Sequence, residues 1–287
     1  MSAALTEARK NFHKDLVDRH TLSISPDAVA SNADSSQKTS VAIGLSVAKD
    51  LHAEIIPKKL TGQRVGKQFE EAVEGFLSGT FPLFQSLRPG TWTIENVGGS
   101  RAEYQISKYE PYTHLADLAT AIENDRNLAS VLGNSYEISP DILILRTPEA
   151  DEIINRNHEL VDSGAGRYAV VRMANQERPI VHAIVSCKWT LRSDRAQNAR
   201  SEALNVIRNR KGRTPHIAVV TGEPSPSRLA SLALGTGDID TVYHFALPEL
   251  IEAVKQTDND EAVSMLNTLV TGKRLRDISD LPLDLAI

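Results

Sequence analysis

One stretch decides both the fold and the chemistry of this chain: IVSCKWTLRSDRAQNARSEALNVIRNRKGR, residues 184–213. It begins as an apolar run typical of a buried strand, and this run ends at Lys188. An arginine-rich stretch with alanines at helical spacing follows and predicts a helix. The segment holds eight Lys or Arg residues and two acids, whereas the whole chain has a net charge of −5. A basic island in an acidic protein indicates a local anionic partner.

The bulk composition is that of an ordinary globular protein. With 287 residues, 41% of them hydrophobic and 24% charged, the chain can bury a large core, and we expect one domain over residues 1–287. No apolar run reaches the roughly 18 residues that a membrane helix needs, and the charged N-terminus lacks the apolar region of a signal peptide. A single cysteine excludes an internal disulfide and a cysteine-based zinc site. We therefore expect a cytoplasmic protein with no membrane partner.

Apolar periodicity predicts alternating helices and strands, which is the α/β class. The predicted helices cover residues 4–19, 39–54, 64–78, 114–132, 249–256 and 260–270, together with the basic helix that carries Glu202 and a short helix from residue 228. The predicted strands cover residues 91–97, 102–107, 142–146, 168–173, 179–189, 215–223 and 241–247. The first two strands are expected to form a hairpin through Gly98 and Gly99. The alternation in the second half favours a mixed sheet with helices on its faces.

An aspartate and a lysine at the ends of two predicted strands are the first candidates for catalysis. Asp141 opens the run ILILR, and Lys188 ends the run in which Ser186 stands two positions earlier. Strand alternation places Ser186 and Lys188 on one face. If the strands are neighbours, all three converge, and the aspartate can hold Mg²⁺ while the lysine orients a water molecule. An isolated pair of this kind is more often a loop cap and a surface cation.

A metal site of this kind needs a second carboxylate, and two glutamates are candidates. Glu202 lies about two turns into the predicted basic helix, and Glu70 lies beside the apolar stripe of the helix predicted at 64–78. The alternative for Glu202 is an exposed salt bridge with Arg208 or another arginine neighbour, which is the commoner state of a single glutamate on a basic helix.

The start of the basic helix carries groups suited to reading DNA bases. Arginine can donate two hydrogen bonds to guanine and aspartate can accept one from cytosine, so Arg192, Asp194 and Arg195 are candidates for contacts with adjacent G·C pairs. The alternative is a helix cap with surface salt bridges. The basic run over residues 208–213 suits contacts with backbone phosphates, which position DNA without specifying its sequence.

Together these motifs resemble the type IIF restriction endonucleases that cut DNA at sites with a CCGG core, within the PD-(D/E)xK superfamily. The order Pro140-Asp141, Ser186-Cys187-Lys188, Arg192-Ser193-Asp194-Arg195 and Glu202 is similar to the variant site of that family. In this variant, Ser or Thr replaces the acid beside the lysine, and a downstream glutamate takes its place. Further similar segments are SNAD (31–34), PSPSR (224–228), ALGTGDID (233–240) and KRLRDISDLPLDLA (273–286), so the resemblance spans nearly the whole chain.

The resemblance implies a restriction-endonuclease-like core, with a mixed central β-sheet flanked by helices, and Mg²⁺-dependent double-strand cleavage of GCCGGC after its first G, leaving a 5′ overhang. The implied catalytic residues are Asp141, Lys188, Glu70, Glu202 and Ser186. The implied ligands of two Mg²⁺ ions per active site are Asp141, Glu70, Glu202 and the backbone carbonyl of Cys187. The implied DNA contacts are Arg192, Asp194 and Arg195 to the CCGG core, Asp34 and Arg228 to the outer pair, and Gln63 to the minor groove.

The resemblance also implies a homotetramer, built as a dimer of dimers that binds two DNA sites, and a cognate DNA methyltransferase in the same system. Three alternatives stay open at this point. A related CCGG-core endonuclease would differ in the outer pair, as in RCCGGY. A sequence-specific DNA-binding protein would keep the base contacts without cleaving, and a repair or resolvase nuclease of the same fold would act on DNA structure instead.

Overall fold

A six-stranded mixed β-sheet forms the centre of the computed structural model. The model describes residues 2–57, 60–98, 105–125, 127, 130–131, 138–191, 193–235 and 237–287, without the side chains of residues 105 and 193–196. The strands lie side by side in chain order. They are β1 (Trp92–Asn96), β2 (Ile142–Arg146), β3 (Ile180–Lys188), β4 (His216–Thr221), β5 (Thr241–His244) and β6 (Leu275–Asp277). Strands β1 to β3 pair antiparallel and β3 to β6 pair parallel.

Helices flank this sheet and provide the crossovers that parallel pairing requires. Before β3 the chain forms α1 (Ala4–Asp18), α2 (Lys38–Asp50), α3 (Gly62–Thr80), α4 (Leu115–Asn124) and α5 (Asp151–Ile154). After β3 it forms α6 (Ser193–Asn209), α7 (Pro226–Ala233), α8 (Leu247–Lys255), α9 (Asp260–Thr271) and α10 (Leu281–Asp284). The predicted α/β class is thus confirmed, because α6, α7 and the α8–α9 pair each connect two parallel strands.

One hydrophobic cluster extends from α1 to the residues after α10 and includes the sheet. The predicted apolar stripe of α3 is fully part of it, since Phe69, Val73 and Phe76 are buried. Phe69 packs against Trp189 with ring centroids 4.9 Å apart, which docks α3 next to the end of β3. Among the helices that the structure describes, none is both long and apolar enough to cross a membrane.

Several local predictions are wrong or incomplete. Strand β1 pairs with β2 instead of forming a hairpin with residues 102–107, of which 105–107 lie in a 3-10 helix and 102–104 fall outside the described residues. The second helix ends at Asp50, before the predicted end at residue 54, because the chain reverses at His52, which adopts a left-handed φ of 59°. Residues 168–173, predicted as a strand, form turns, and β6 was not predicted. The fourth helix is present over Leu115–Asn124, and part of the remaining predicted span lies outside the described residues.

Candidate active site and recognition site

Asp141 stands at the meeting point of β2 and β3. Its Oδ2 atom accepts hydrogen bonds from Ser186 Oγ at 3.3 Å, from the Cys187 backbone N–H at 2.7 Å and from Lys188 Nζ at 3.0 Å. Antiparallel pairing causes this convergence, because it sets the start of β2 beside the end of β3. Ser186 and Lys188 therefore point to the same side of the sheet, as strand alternation predicts.

Glu202 reaches the same place from helix α6. Its Oε2 atom lies 3.4 Å from Ser186 Oγ and 3.9 Å from Lys188 Nζ. The helix is docked through the buried side chains of Ala199 and Ala203, which leaves Glu202 facing the end of β3. Within the described part of the chain, Glu202 forms an ion pair with Lys188 and none with Arg208. The exposed salt bridge with Arg208 that the sequence left open is therefore not formed.

The site contains perturbed carboxyl groups. Burial and the nearby Asp141 carboxylate raise the pKa of Glu70 to about 7, although Lys188 acts in the opposite direction. Burial also raises the pKa of Glu202, with Lys188 opposing and Asp141 adding to the effect. For Lys188, burial lowers the pKa, but the carboxylates of Asp141 and Glu202 outweigh it and the net pKa is raised. Lys188 therefore stays cationic at neutral pH.

These groups face an open cleft of about 510 Å³. Gln63, Glu70, Lys188 and Glu202 line it, so the minor-groove candidate lies in the same cleft as the catalytic candidates. Gly98, which the sequence analysis placed only in a hairpin turn, also lines this cleft. A Cβ atom at this position would lie 2.7 Å from Glu70 Oε2, so a glycine here leaves room for the Glu70 carboxylate.

The oxygen donors suit Mg²⁺ by their chemistry, although the described residues form no ready-made cluster of metal ligands. Within the described ranges, no group of three or more His, Cys, Asp or Glu side chains is arranged to hold a metal ion. Instead, the Lys188 ammonium lies within 4.0 Å of both Asp141 and Glu202. Carboxylate oxygens are the hard ligands that Mg²⁺ prefers. The raised pKa values of Glu70 and Glu202 show that negative charge is disfavoured there, and a divalent cation would relieve this.

Asp34 and Arg228, which are 194 residues apart in the chain, form an ion pair between the loop before α2 and helix α7. Asp34 Oδ1 also accepts hydrogen bonds from the Ser36 hydroxyl at 2.7 Å and the Ser36 N–H at 3.0 Å. The bonds from Ser36, together with Arg228, hold the pKa of Asp34 well below its usual range. The structure thus brings together the two residues expected to contact the outer base pair.

Glu223 is a buried carboxylate that the sequence reasoning missed. It is 0% exposed, and it accepts hydrogen bonds from the Leu191 N–H at 2.7 Å and the Ser225 N–H at 3.1 Å. Its Oε2 atom also lies 3.7 Å from Arg228 Nη1. Glu223 therefore ties the residue just before Arg192 to the turn that leads into α7. The sequence signal that could have found it is an acid two positions after the apolar strand β4.

The expected contacts to the CCGG core cannot be placed as side chains. Arg192 lies outside the described residues, and the side chains of Asp194 and Arg195 are likewise not described. Their backbone belongs to the first turn of α6, which begins five positions after Lys188.

Comparison with known proteins identifies the class. A family model described as NgoMIV restriction enzyme matches residues 12–287, and the chain belongs to this family. It is therefore a type II site-specific deoxyribonuclease, which confirms the class that the resemblance predicted. The type II restriction enzyme NgoMIV of Neisseria gonorrhoeae is 49% identical to it over 287 residues, covering 100% of both chains. A restriction endonuclease PspGI–substrate DNA complex is 14% identical, with a TM-score of 0.26, and the match covers 99% of this chain and 92% of that one.

Proposed function

We propose that this endonuclease cleaves both strands of DNA at GCCGGC, after the first G, in a Mg²⁺-dependent reaction. The observation that carries the proposal is the convergence of Asp141, Ser186, Lys188 and Glu202 from three elements at one cleft. Residues 1–287 would act as a single endonuclease domain, and hydrolysis would leave a 5′-phosphate, a 3′-hydroxyl and a four-base 5′ overhang.

The residues proposed to hold two Mg²⁺ ions are Asp141, Glu70, Glu202 and Cys187, the last through its backbone carbonyl. When bound, Mg²⁺ supplies positive charge that stabilises the developing charge on the phosphate and acidifies a water molecule. The Cys187 N–H orients Asp141 by donating to its Oδ2 atom. Ser186 stands where an acid is usual, and its single hydroxyl proton can go to Asp141 or to Glu202, but not to both at once.

Lys188 would position the attacking water. Its ammonium group has three donors, and one of them is directed at Asp141 Oδ2. The remaining donors are available for the water oxygen or a nonbridging phosphate oxygen. Because its pKa is raised, Lys188 acts as a donor and a positive charge and not as a base.

Base recognition would be divided between two elements. Arg192, Asp194 and Arg195 would contact the CCGG core from the start of α6, while Asp34 and Arg228 would contact the outer G·C pair. Both members of the Asp34–Arg228 pair are partly exposed, with 16% and 20% of their side-chain surface accessible. They present an acceptor for cytosine N4 beside donors for guanine, and Gln63 would reach the minor groove from the cleft.

The proposed oligomeric state and cellular setting also follow from the family resemblance. Two back-to-back dimers would form a homotetramer that binds two DNA sites, acting in the cytoplasm beside a cognate DNA methyltransferase that protects the host sites. Light scattering of the free protein tests the tetramer, since a monomer or dimer at micromolar concentration would contradict it.

Plasmids that carry GCCGGC, ACCGGT or neither, incubated with Mg²⁺ or with EDTA, test the proposed function. We expect cuts only in the GCCGGC plasmid with Mg²⁺, and sequenced ends that begin with CCGG. Cleavage of ACCGGT as well would favour an RCCGGY specificity. Specific binding without any cleavage would favour a DNA-binding protein, and cleavage at branched or damaged DNA would favour a structure-specific nuclease.

A further inference from the structure

The basic run over residues 208–213 lies at the far end of the sheet from the cleft. Helix α6 starts beside the end of β3 and runs back to the start of β4, so its 17 residues separate its two ends by about 25 Å. Tyr112 Oη anchors the end of α6 by donating to the Val206 carbonyl at 3.0 Å, and the Lys211 N–H anchors the run by donating to the Pro111 carbonyl at 3.1 Å. The phosphate contact predicted for this run is therefore not part of the cleft.

At this end of the sheet the run borders a second cavity of about 240 Å³. Four basic side chains line it, from the segment after α3, the end of β2 and the basic run. They are Arg88, Arg146, Lys211 and Arg213, against one acidic lining residue, Glu110. The cavity is thus strongly electropositive.

The positive charges in this cavity are poorly compensated. Among the described residues, no acidic side chain lies within 4.0 Å of Arg88, Lys211 or Arg213. Arg88 Nη1 donates a hydrogen bond to the backbone oxygen of Ile287 at 2.7 Å, and Arg146 pairs with Glu149 at 3.4 Å and lies over the Trp92 ring. The Nε atom of Arg146 is buried without a hydrogen-bond partner. Burial, together with the charges of Arg213 and Arg146, lowers the pKa of Arg88. An anion bound among these cations would offset their mutual repulsion and could accept from the buried Arg146 Nε.

Lys211 and Arg213 flank a tight turn at Gly212, which packs against Pro111. Gly212 adopts φ +131, in the left-handed region that favours glycine, and lies between Lys211 and Arg213. The turn rests on Pro111, while the side chains of Lys211 and Arg213 remain exposed. Val170, Val171 and Val181 give this cavity an apolar part of its lining.

We propose that this cavity binds a small phosphate-bearing anion, with its phosphoryl group held by Arg88, Arg146, Lys211 and Arg213. Guanidinium groups match phosphate oxygens with paired hydrogen bonds, and the lysine adds a point charge. The volume of about 240 Å³ suits a ligand in the size range of inorganic phosphate, pyrophosphate or a nucleoside monophosphate. In the last case the valine side chains of the lining would contact the base.

Isothermal titration calorimetry on the full-length protein tests this site, without divalent metal and at constant chloride. Inorganic phosphate, pyrophosphate and AMP are titrated separately, and tighter binding of AMP than of pyrophosphate would identify a nucleotide as the source of the phosphoryl group. The double variant Lys211→Ala/Arg213→Ala removes only exposed side chains and should fold normally. It should bind the tightest of the three ligands roughly tenfold or more weakly.

A control variant and four outcomes that would overturn the proposal complete the test. Lys49→Ala removes an exposed lysine of α2 outside the cavity and should leave the affinity unchanged. The proposal is overturned if none of the three anions binds, or if the double variant binds as well as wild type. It is also overturned if a GCCGGC duplex displaces the anion, which would assign these cations to DNA. A smaller oligomer for the double variant, with no anion bound by wild type, would assign them to subunit contacts and would equally overturn it.

Discussion

Lys188 supplies the positive charge that offsets the Asp141 and Glu202 carboxylates in the cleft. It is largely buried, yet the Asp141 and Glu202 carboxylates keep it protonated, so its loss leaves two carboxylates facing each other without a cation. We predict that Lys188→Ala lowers the cleavage rate by at least about 10²–10³-fold, the usual effect of removing a preorganised donor. Specific DNA binding should survive within a few-fold.

Initial rates on a GCCGGC plasmid and gel-shift titrations with Ca²⁺ measure these two quantities. Lys67 is a matched control, because it also lines the cleft but its side chain is 76% exposed. Lys67→Ala should stay within a few-fold of the wild-type rate. A Lys188→Ala enzyme that cuts at the wild-type rate would remove Lys188 from the mechanism.

The buried Glu70 carboxylate lowers the folding stability of the protein at neutral and alkaline pH. Its pKa is raised to about 7 by burial and by Asp141, so between pH 4.5 and 7 the folded state holds a proton that the unfolded state has lost. Stability therefore falls as pH rises through this window, and the penalty is fully present above pH 7 and absent below pH 4.5. Glu70→Gln removes the titrating group and with it the penalty.

We predict that, without divalent metal, Glu70→Gln raises the free energy of unfolding at pH 8 by about 1–2 kcal/mol, after allowance for solvent screening. Urea unfolding at pH 8 and at pH 4.5 measures the difference, which should vanish at the lower pH. The adjacent variant Glu71→Gln affects exposed ion pairs with Arg19 and Lys67 and should change stability by less than about 0.5 kcal/mol at either pH. An equal effect at both pH values would contradict the burial argument.

At the scale of elements, the loop before α2 and helix α7 form one unit through the Asp34–Arg228 pair. We predict that Arg228→Ala lowers the preference for GCCGGC over ACCGGT by about tenfold or more, since one paired base contact contributes roughly 1–3 kcal/mol of discrimination. The requirement for the CCGG core should remain, because its candidate contacts lie on α6.

Competition assays with the two duplexes, and with one altered in the core, give these ratios directly. Ser231→Ala provides a control on the same helix, since it removes an exposed hydroxyl that bonds only to the Arg228 carbonyl. Unchanged outer-pair preference in Arg228→Ala would reassign the outer contact to another residue. Loss of the core requirement instead would indicate that Glu223 transmits the change to the segment after Leu191.

Across the whole molecule, Arg9 links the N-terminal helix to the far edge of the sheet. Its guanidinium pairs with Asp277 at the end of β6 and with Glu249 in α8, and only 19% of the side chain is exposed. Burial raises the pKa of both acids, but the hydrogen bonds and charge of Arg9 outweigh it, so both pKa values are lowered. Their contribution to stability is therefore present above pH 4.5 and is lost as pH falls further.

We predict that Arg9→Ala lowers the free energy of unfolding at pH 7 by about 2–3 kcal/mol, because it leaves two partly buried carboxylates facing each other. Thermal or urea unfolding measures the loss, which should shrink towards pH 3. Lys14→Ala on the same helix breaks only an exposed pair with Asp18 and should cost less than about 0.5 kcal/mol. A similar small loss for both variants would mean that the Arg9 link is not a structural one.

Much of the fold and of the catalytic site was predictable from the sequence, because the relevant signals are local. The apolar runs of β2, β3 and β4 and the stripe of α3 depend on spacings of two to four residues, which a strand or helix translates directly into faces. The shared face of Ser186 and Lys188 follows from the same alternation. The motif order then identified the class of enzyme, as the family match confirms.

The tertiary structure alone decided which distant groups meet. Strand β1 could pair with any free sheet edge, and only the assembled sheet selects β2 in place of the predicted hairpin. The direction of α6 places Glu202 at the cleft and carries the basic run 208–213 to the opposite end of the sheet. The stretch 184–213 thus contributes residues both to the cleft and to the opposite end of the sheet, because a helix holds its two ends a fixed distance apart. The local sequence pattern predicts the helix but carries no information about what packs at either end.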